Sequence, residues 1–252
     1  MEKVHRLYSP KLNKYLKVRV YLPAGYDGKR RYPVLYMHDG QNAVREARWS
    51  HHSWEVTSTL EKMRLAAIVV GIDSDKEREA TLCPFAPEER DAEMERCRVP
   101  MGKEYGDFLV EYVKPFIDFA YKTRPDYENT YLAGSSLGGL AAAYLSALHP
   151  GVFCCVGVFS LAYWFVQQQF EKFLEGHFDA KASYFLAAGG KEGFDGKILD
   201  SYERYRAILA EKGASFSAKV YPNLYHSEEC WAKEFRDFVR IIKARRKEKH
   251  HA

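Results

Sequence analysis

Between Gly134 and Gly139 the chain reads GSSLGG, crowding two serines and three glycines into one short turn. Packing alone favours larger side chains, so the crowding needs another cause. Gly134-Ser135-Ser136-Leu137-Gly138 satisfies G-x-S-x-G, with a strand-like run before it (NTYLAGS, 129–135) and an alanine-rich helical stretch after it. In a tight strand-to-helix turn, glycines two before and two after the serine keep β-carbons away. The Ser136 hydroxyl can then stand exposed above a sheet. The helix that follows points its free N–H groups at the same place, where they favour developing negative charge. Ser136 is the candidate nucleophile; no Gly-Lys-Ser/Thr follows, which argues against a phosphate loop.

A serine at its free pKa attacks poorly and needs a base, normally a histidine held by a carboxylate. With the partners expected after the serine, acid before histidine, the candidates are His149, His177, His226, His250 and His251. His149 closes the elbow helix, roughly 18–20 Å away at ~1.5 Å per residue, and reads as a cap. His177 lies in the turn-like LEGHFD and reads as a surface residue; His250 and His251 sit in a charged tail. His226 follows the strand FSAKVYP (216–222) and precedes the last helix, which makes it the candidate base. The strand SYFLAAGG (183–190) runs into KEGFDG, giving Glu192 as the candidate acid and Asp195 as the alternative.

An oxyanion needs backbone donors. One is the N–H of Leu137. The second is expected from HDGQNA, with Gln41 the candidate and Gly40 and Asn42 as alternatives. Tyr163 and Trp164, in SLAYWF after another strand, are candidates for a substrate pocket, although core packing is as good a reading. Arg78, in DSDKER, reads as a solvated charge. SHHS (50–53) has no second ligand cluster, so neither a metal nor a cofactor is expected.

The elements that would position these residues alternate. Short apolar runs read as strands at YLKVRVYLP (15–23), paired with HRLYS, and at YPVLYMHDG (32–40), LAAIVVGID (65–73) and FCCVGVFS (153–160), besides the three already named. Helical stripes appear at 105–122, 199–213 and 228–244; Pro115 should kink or break the first, and Gly213 can cap the second. Strands this apolar are covered on both sides. The fold class is therefore α/β, one domain over 1–252 with a mostly parallel central sheet and helices on both faces. Residues 74–104, charged and proline-containing, form an excursion directly after a strand end, where sites of such sheets gather; residues 245–252 extend the last helix into solvent.

Composition excludes several classes. With 46% hydrophobic and 29% charged residues the chain is a folded globular protein rather than a disordered one. The net charge of +4 is spread without a basic stripe, so no nucleic-acid partner is expected. No run approaches the ~18 apolar residues of a membrane span, and the N-terminus lacks the apolar core of a signal peptide. The five cysteines include no CxxC pair and read as buried free thiols, with Cys154 and Cys155 on opposite faces of a strand. A cytoplasmic protein acting on a small-molecule ester is expected.

Taken together, PVLYMHDGQN, AIVVGID, GKEYGDFLVEYVKPFID, YLAGSSLGGLAA, AAGGKEG and YHSEECWAKEF resemble, in order, the putative-esterase family of α/β-hydrolases. That family includes enterochelin-type siderophore esterases, S-formylglutathione hydrolases, feruloyl esterase domains and mycolyltransferases. The resemblance implies the α/β-hydrolase fold, with Ser136 as nucleophile, His226 as base and Glu192 as acid. It also implies a serine carboxylic ester hydrolase working through an acyl-enzyme on a small or aromatic ester, such as a siderophore lactone or a feruloyl or acetyl ester. An acyltransferase of the same fold and a non-catalytic binding relative are the alternatives.

Overall fold

The computed structural model describes residues 1–46, 51–87 and 96–251. Among the described residues eight strands form one sheet: β1 (Glu2–Ser9), β2 (Lys14–Tyr21), β3 (Val34–His38), β4 (Ile68–Ile72), β5 (Thr130–Ser135), β6 (Cys155–Phe159), β7 (Ser183–Gly189) and β8 (Ser215–Tyr221). Their spatial order is β1-β2-β4-β3-β5-β6-β7-β8. Only the β1–β2 and β2–β4 pairings are antiparallel; the six strands from β4 to β8 in that order run parallel. This is the mostly parallel α/β-hydrolase sheet expected from the sequence.

Helices cover both faces: α1 (Val56–Lys62), α2 (Arg78–Leu82), α3 (Gly102–Phe108), α4 (Lys114–Ala120), α5 (Leu137–Leu148), α6 (Gln167–Gly176), α7 (Lys197–Glu211) and α8 (Glu228–His251). The period of two along each strand sorts side chains between two cores. Val34 and Tyr36 of β3, Val70 of β4 and Val158 of β6 pack with Leu140 of α5, Phe170 of α6 and Tyr205 of α7. Their neighbours Leu35, Met37, Val69 and Phe159 face the other way, against Leu60 of α1 and Phe235 and Phe238 of α8. Helix α5 is buried from Leu137 to Ala147, which explains why its sequence is apolar on every side.

The continuous helix expected at 105–122 is interrupted. A π-turn over Leu109–Val113 separates α3 from α4 just before Pro115. Proline has no N–H for the ladder, and the wider turn absorbs the missing bond. His149 caps α5, with Nε2 3.4 Å from Asp107 Oδ1 and a pKa pushed down by burial. His177 ends α6 and stacks on Phe173. Helices α1, α2 and α6 were not legible as such: two are short, and the third begins with three glutamines.

The two adjacent cysteines correct an expectation. Cys154 and Cys155 are both buried in the core beneath α8, with sulfurs 3.9 Å apart, rather than on opposite faces. The strand begins at Cys155, so alternation does not reach its predecessor. Residue 245 also departs from a solvated tail: Arg245 Nε donates to Glu128 Oε2 at 3.0 Å and Nη1 to Ser183 Oγ at 3.0 Å. Among the described residues, no helix is long and apolar enough to cross a membrane.

Candidate active site

Strand β5 runs into α5 through Ser136, which sits at φ 59, ψ −123. A non-glycine residue held there is strained, and the surroundings must hold it in place. Ser136 N–H donates to Phe159 O at 3.0 Å. The flanking glycines are required by contact: a β-carbon at Gly134 would lie 2.3 Å from Gly138 O, and one at Gly139 2.8 Å from Phe159 O. Ser160 at φ 47 and Asp39 at φ 53 also have positive φ, Asp39 in the left-handed region that aspartate tolerates, and both belong to the surroundings of the site.

His226, on the loop between β8 and α8, places Nδ1 2.7 Å from Glu192 Oε2. A carboxylate accepts, so Nδ1 carries the proton and Nε2 keeps its lone pair. Glu192 follows β7, with its side chain only 1% exposed. Its other oxygen, Oε1, accepts from Ser160 Oγ at 2.7 Å and from the backbone N–H of Gly189. Ser160 Oγ in turn accepts from Trp231 Nε1 of α8 at 2.8 Å. An unbroken chain of donors and acceptors thus runs from imidazole to carboxylate to hydroxyl to indole. The His226 ring also meets Phe194 and Trp231 edge-on, each with its ring centre 4.9 Å away.

Ser136 and His226 line one cavity of about 980 Å³ together with Gln41, Trp54, Arg78 and Trp231. Among the described residues no hydrogen bond joins the Ser136 hydroxyl to His226; such bonds often tighten only around a substrate. Across the cavity, Arg78 holds Asp39 with two bonds, Nε to Oδ1 at 2.7 Å and Nη2 to Oδ2 at 2.8 Å. Ser74 Oγ adds a third at 2.6 Å. Burial opposes the Asp39 charge, but the guanidinium and these bonds outweigh it and hold the carboxyl below its usual range. Arg78 is therefore an ion-paired wall of the cavity rather than a solvated charge. Beneath the elbow, His38 Nδ1 meets Tyr105 Oη at 2.7 Å, and burial pushes its pKa down to about 4.

The remaining candidates are placed unevenly. Leu137 opens α5, so its N–H is one of the first-turn donors without a partner inside the helix. Gln41 lies in a 3-10 turn over Gly40–Asn42 and faces the cavity, its side-chain oxygen accepting from Ser74 N–H at 3.0 Å. Gly40 presses against Gly71, and the Asn42 amide donates to Glu228 at 3.2 Å. Asp195 is exposed, away from the imidazole bond that Glu192 makes. Tyr163 is fully buried in the core, donating to Glu171 at 3.1 Å, and does not line the cavity. Trp164 does not line it either; it reaches the site only through Phe194, with the two ring centres 5.8 Å apart. Sequence reasoning missed Ser160, Trp231 and the Asp39–Arg78 pair. Only the position of Ser160 at a strand end could have hinted at a role.

The profile of the Putative esterase family matches residues 9–212. The chain belongs to that family. The match takes in Ser136 and Glu192 and stops before His226. The Uncharacterized protein YjcH of Bacillus subtilis (strain 168) is 27% identical over 148 residues, 59% of this chain and 56% of that protein's length. This chain thus matches little more than half of that curated relative. Among solved structures, an IroE-like serine hydrolase from Shewanella oneidensis superposes with a TM-score of 0.81 at 19% identity, over 96% of this chain and 80% of the other. The enterobactin esterase FES from Shigella flexneri gives 0.73 at 20%, over 96% and 59%. The ferulic acid esterase AmCE1/Fae1A from Anaeromyces mucronatus gives 0.67 at 18%, over 95% and 89%. At these identities the likeness is one of fold.

Proposed function

We propose that the protein is a serine carboxylic ester hydrolase with Ser136, His226 and Glu192 as its catalytic triad. His226 Nε2 takes the proton of Ser136 as the oxygen attacks the ester carbonyl. The N–H groups of Leu137 and Gln41 hold the oxyanion. His226 then returns the proton to the departing alcohol, leaving an acyl-Ser136. Water, deprotonated by the same imidazole, adds to the acyl carbon; the bond to Ser136 Oγ breaks, the imidazolium returns its proton to that oxygen, and the acid leaves. Glu192 keeps the Nδ1 proton in place and balances the imidazolium that forms.

The observation that supports this reading most is the 2.7 Å bond between His226 Nδ1 and Glu192 Oε2 beside the cavity that Ser136 also lines. It orients the base toward the space the serine faces. A small or aromatic ester fits the aromatic wall of Trp54 and Trp231; a siderophore lactone, a feruloyl ester and an acetyl ester all fall in that class. A cytoplasmic enzyme would meet such esters after import.

Initial rates with p-nitrophenyl acetate test the reading. Ser136→Ala and His226→Ala should each lower kcat/KM by about 10³-fold or more, and a fluorophosphonate should label wild type and not Ser136→Ala. Full activity in purified Ser136→Ala would overturn the assignment. A p-nitrophenyl series of rising acyl length, methyl ferulate and an iron-loaded catecholate trilactone, compared on the same preparation, then ranks the substrate classes.

A further inference from the structure

A second cavity, of about 940 Å³, opens on the α1–α8 face between α1, the end of β2 and the last turns of α8. It shares only Arg45 with the lining of the Ser136 cavity. Its apolar residues include Leu22, Val44, Leu60, Leu65 and Ala67, and all but Val44 are at least nine-tenths buried. Around them stand six cationic side chains against two acidic ones. One of the acids, Glu2, is already committed to Arg19, at 2.9 Å, and to Arg45. Lys243 Nζ donates to Met63 O at 2.8 Å. Arg64 and Lys247 are exposed and, among the described residues, engage no side-chain hydrogen bond or ion pair. Tyr21, also in the lining, has a buried hydroxyl with no hydrogen-bond partner among the described residues. Burial pushes its pKa up to about 12, so it remains a donor at neutral pH.

An apolar floor beside a cationic rim, in which Arg64 and Lys247 are uncommitted, is complementary to a ligand with the same two parts. We propose that this groove binds a linear amphiphilic anion, a fatty carboxylate whose chain lies along Leu22, Leu60 and Ala67 and whose head group meets Arg64, Arg246 and Lys247. The apolar floor supplies affinity in proportion to chain length, and the cations select the charge. Arg64 offers a clean handle. It sits at φ 55 just past α1, where Leu65 N–H returns to Leu60 O at 2.9 Å, a helix ending that suits glycine best. Arg64→Gly thus deletes the cation without a cost in fold.

Isothermal titration of the wild-type protein with sodium dodecanoate, below its micellar concentration, tests the site. One equivalent should bind with a micromolar Kd, and octanoate should bind at least roughly tenfold more weakly. The double variant Arg64→Gly/Lys247→Gln should lose about fivefold or more in affinity while melting no lower than wild type. Thr57→Trp, at a half-buried position of the same lining, should abolish binding, and Gln41→Ala, confined to the Ser136 cavity, should leave it unchanged. No binding up to millimolar dodecanoate would overturn the proposal. So would equal affinity for octanoate, equal affinity for dodecyltrimethylammonium, an unaffected double variant, or loss of binding on Gln41→Ala. None of these outcomes depends on whether Ser136 is the nucleophile.

Discussion

Two buried glutamates, Glu192 after β7 and Glu234 within α8, lie near enough to repel each other and are treated in opposite ways. Glu192 has donors on both oxygens: His226 on one, Ser160 and the Gly189 N–H on the other. Glu234, one turn beyond Trp231 in α8, is 0% exposed, and among the described residues neither of its oxygens has a hydrogen-bond partner. Burial first, and the nearby Glu192 second, push the Glu234 carboxyl well above its usual range. Equal depth therefore does not mean equal chemistry. A buried carboxyl does work where donors converge on it, and where they do not it keeps its proton and weakens the fold.

Removing the satisfied member should have the largest effect. Glu192→Gln is expected to lower kcat on p-nitrophenyl acetate by about 10²–10⁴-fold, since the amide no longer fixes the imidazole tautomer. Glu234→Gln should stay within about twofold of wild type in the same assay, and a comparable loss would break the contrast. Ser160→Ala comes next. It leaves Trp231 Nε1 without an acceptor in the core, a cost of about 2 kcal/mol, seen as a melting temperature lower by several degrees and a smaller fall in kcat than Glu192→Gln causes.

Glu234→Met should act in the other direction. Replacing an unpaired buried carboxyl with an apolar side chain of similar length stabilises by about 1 kcal/mol, or about 2–4 °C in melting temperature. The smallest effect is the pH dependence of that gain. An acid whose folded pKa is raised binds more protons folded than unfolded. The stability it allows is full below about 4.5 and is lost as pH rises toward the folded value. Glu234→Met should therefore raise the melting temperature more at pH 8 than at pH 5; an equal gain at both would mean that Glu234 titrates normally.

The contrast also shows what the sequence could reveal. Strand-like runs, the elbow glycines and the place of His226 after the last strand were legible because each rests on local period or on spacing along the chain. Glu192 was legible as one of two carboxylates beyond a strand. What separates it from Asp195 is the closeness of β6, β7 and α8, and no residue pattern encodes that. Ser160 and Trp231, 71 residues apart, meet only through the fold. The same holds for Asp39 and Arg78. Tyr163 and Trp164 looked like pocket residues because they follow a strand end, but the 3-10 turn at Trp164–Val166 carries them toward α6 and Phe194 instead.

The groups proposed to react hang from strands of very different security. Ser136 follows β5, buried along its whole length between β3 and β6, whereas His226 follows β8, a partly exposed strand at the sheet margin. Warming should loosen the margin first, so the imidazole would drift from its place while the elbow still holds. Heat inactivation would then run ahead of global melting, and brief heating followed by cooling should restore activity as long as the centre of the sheet has not opened.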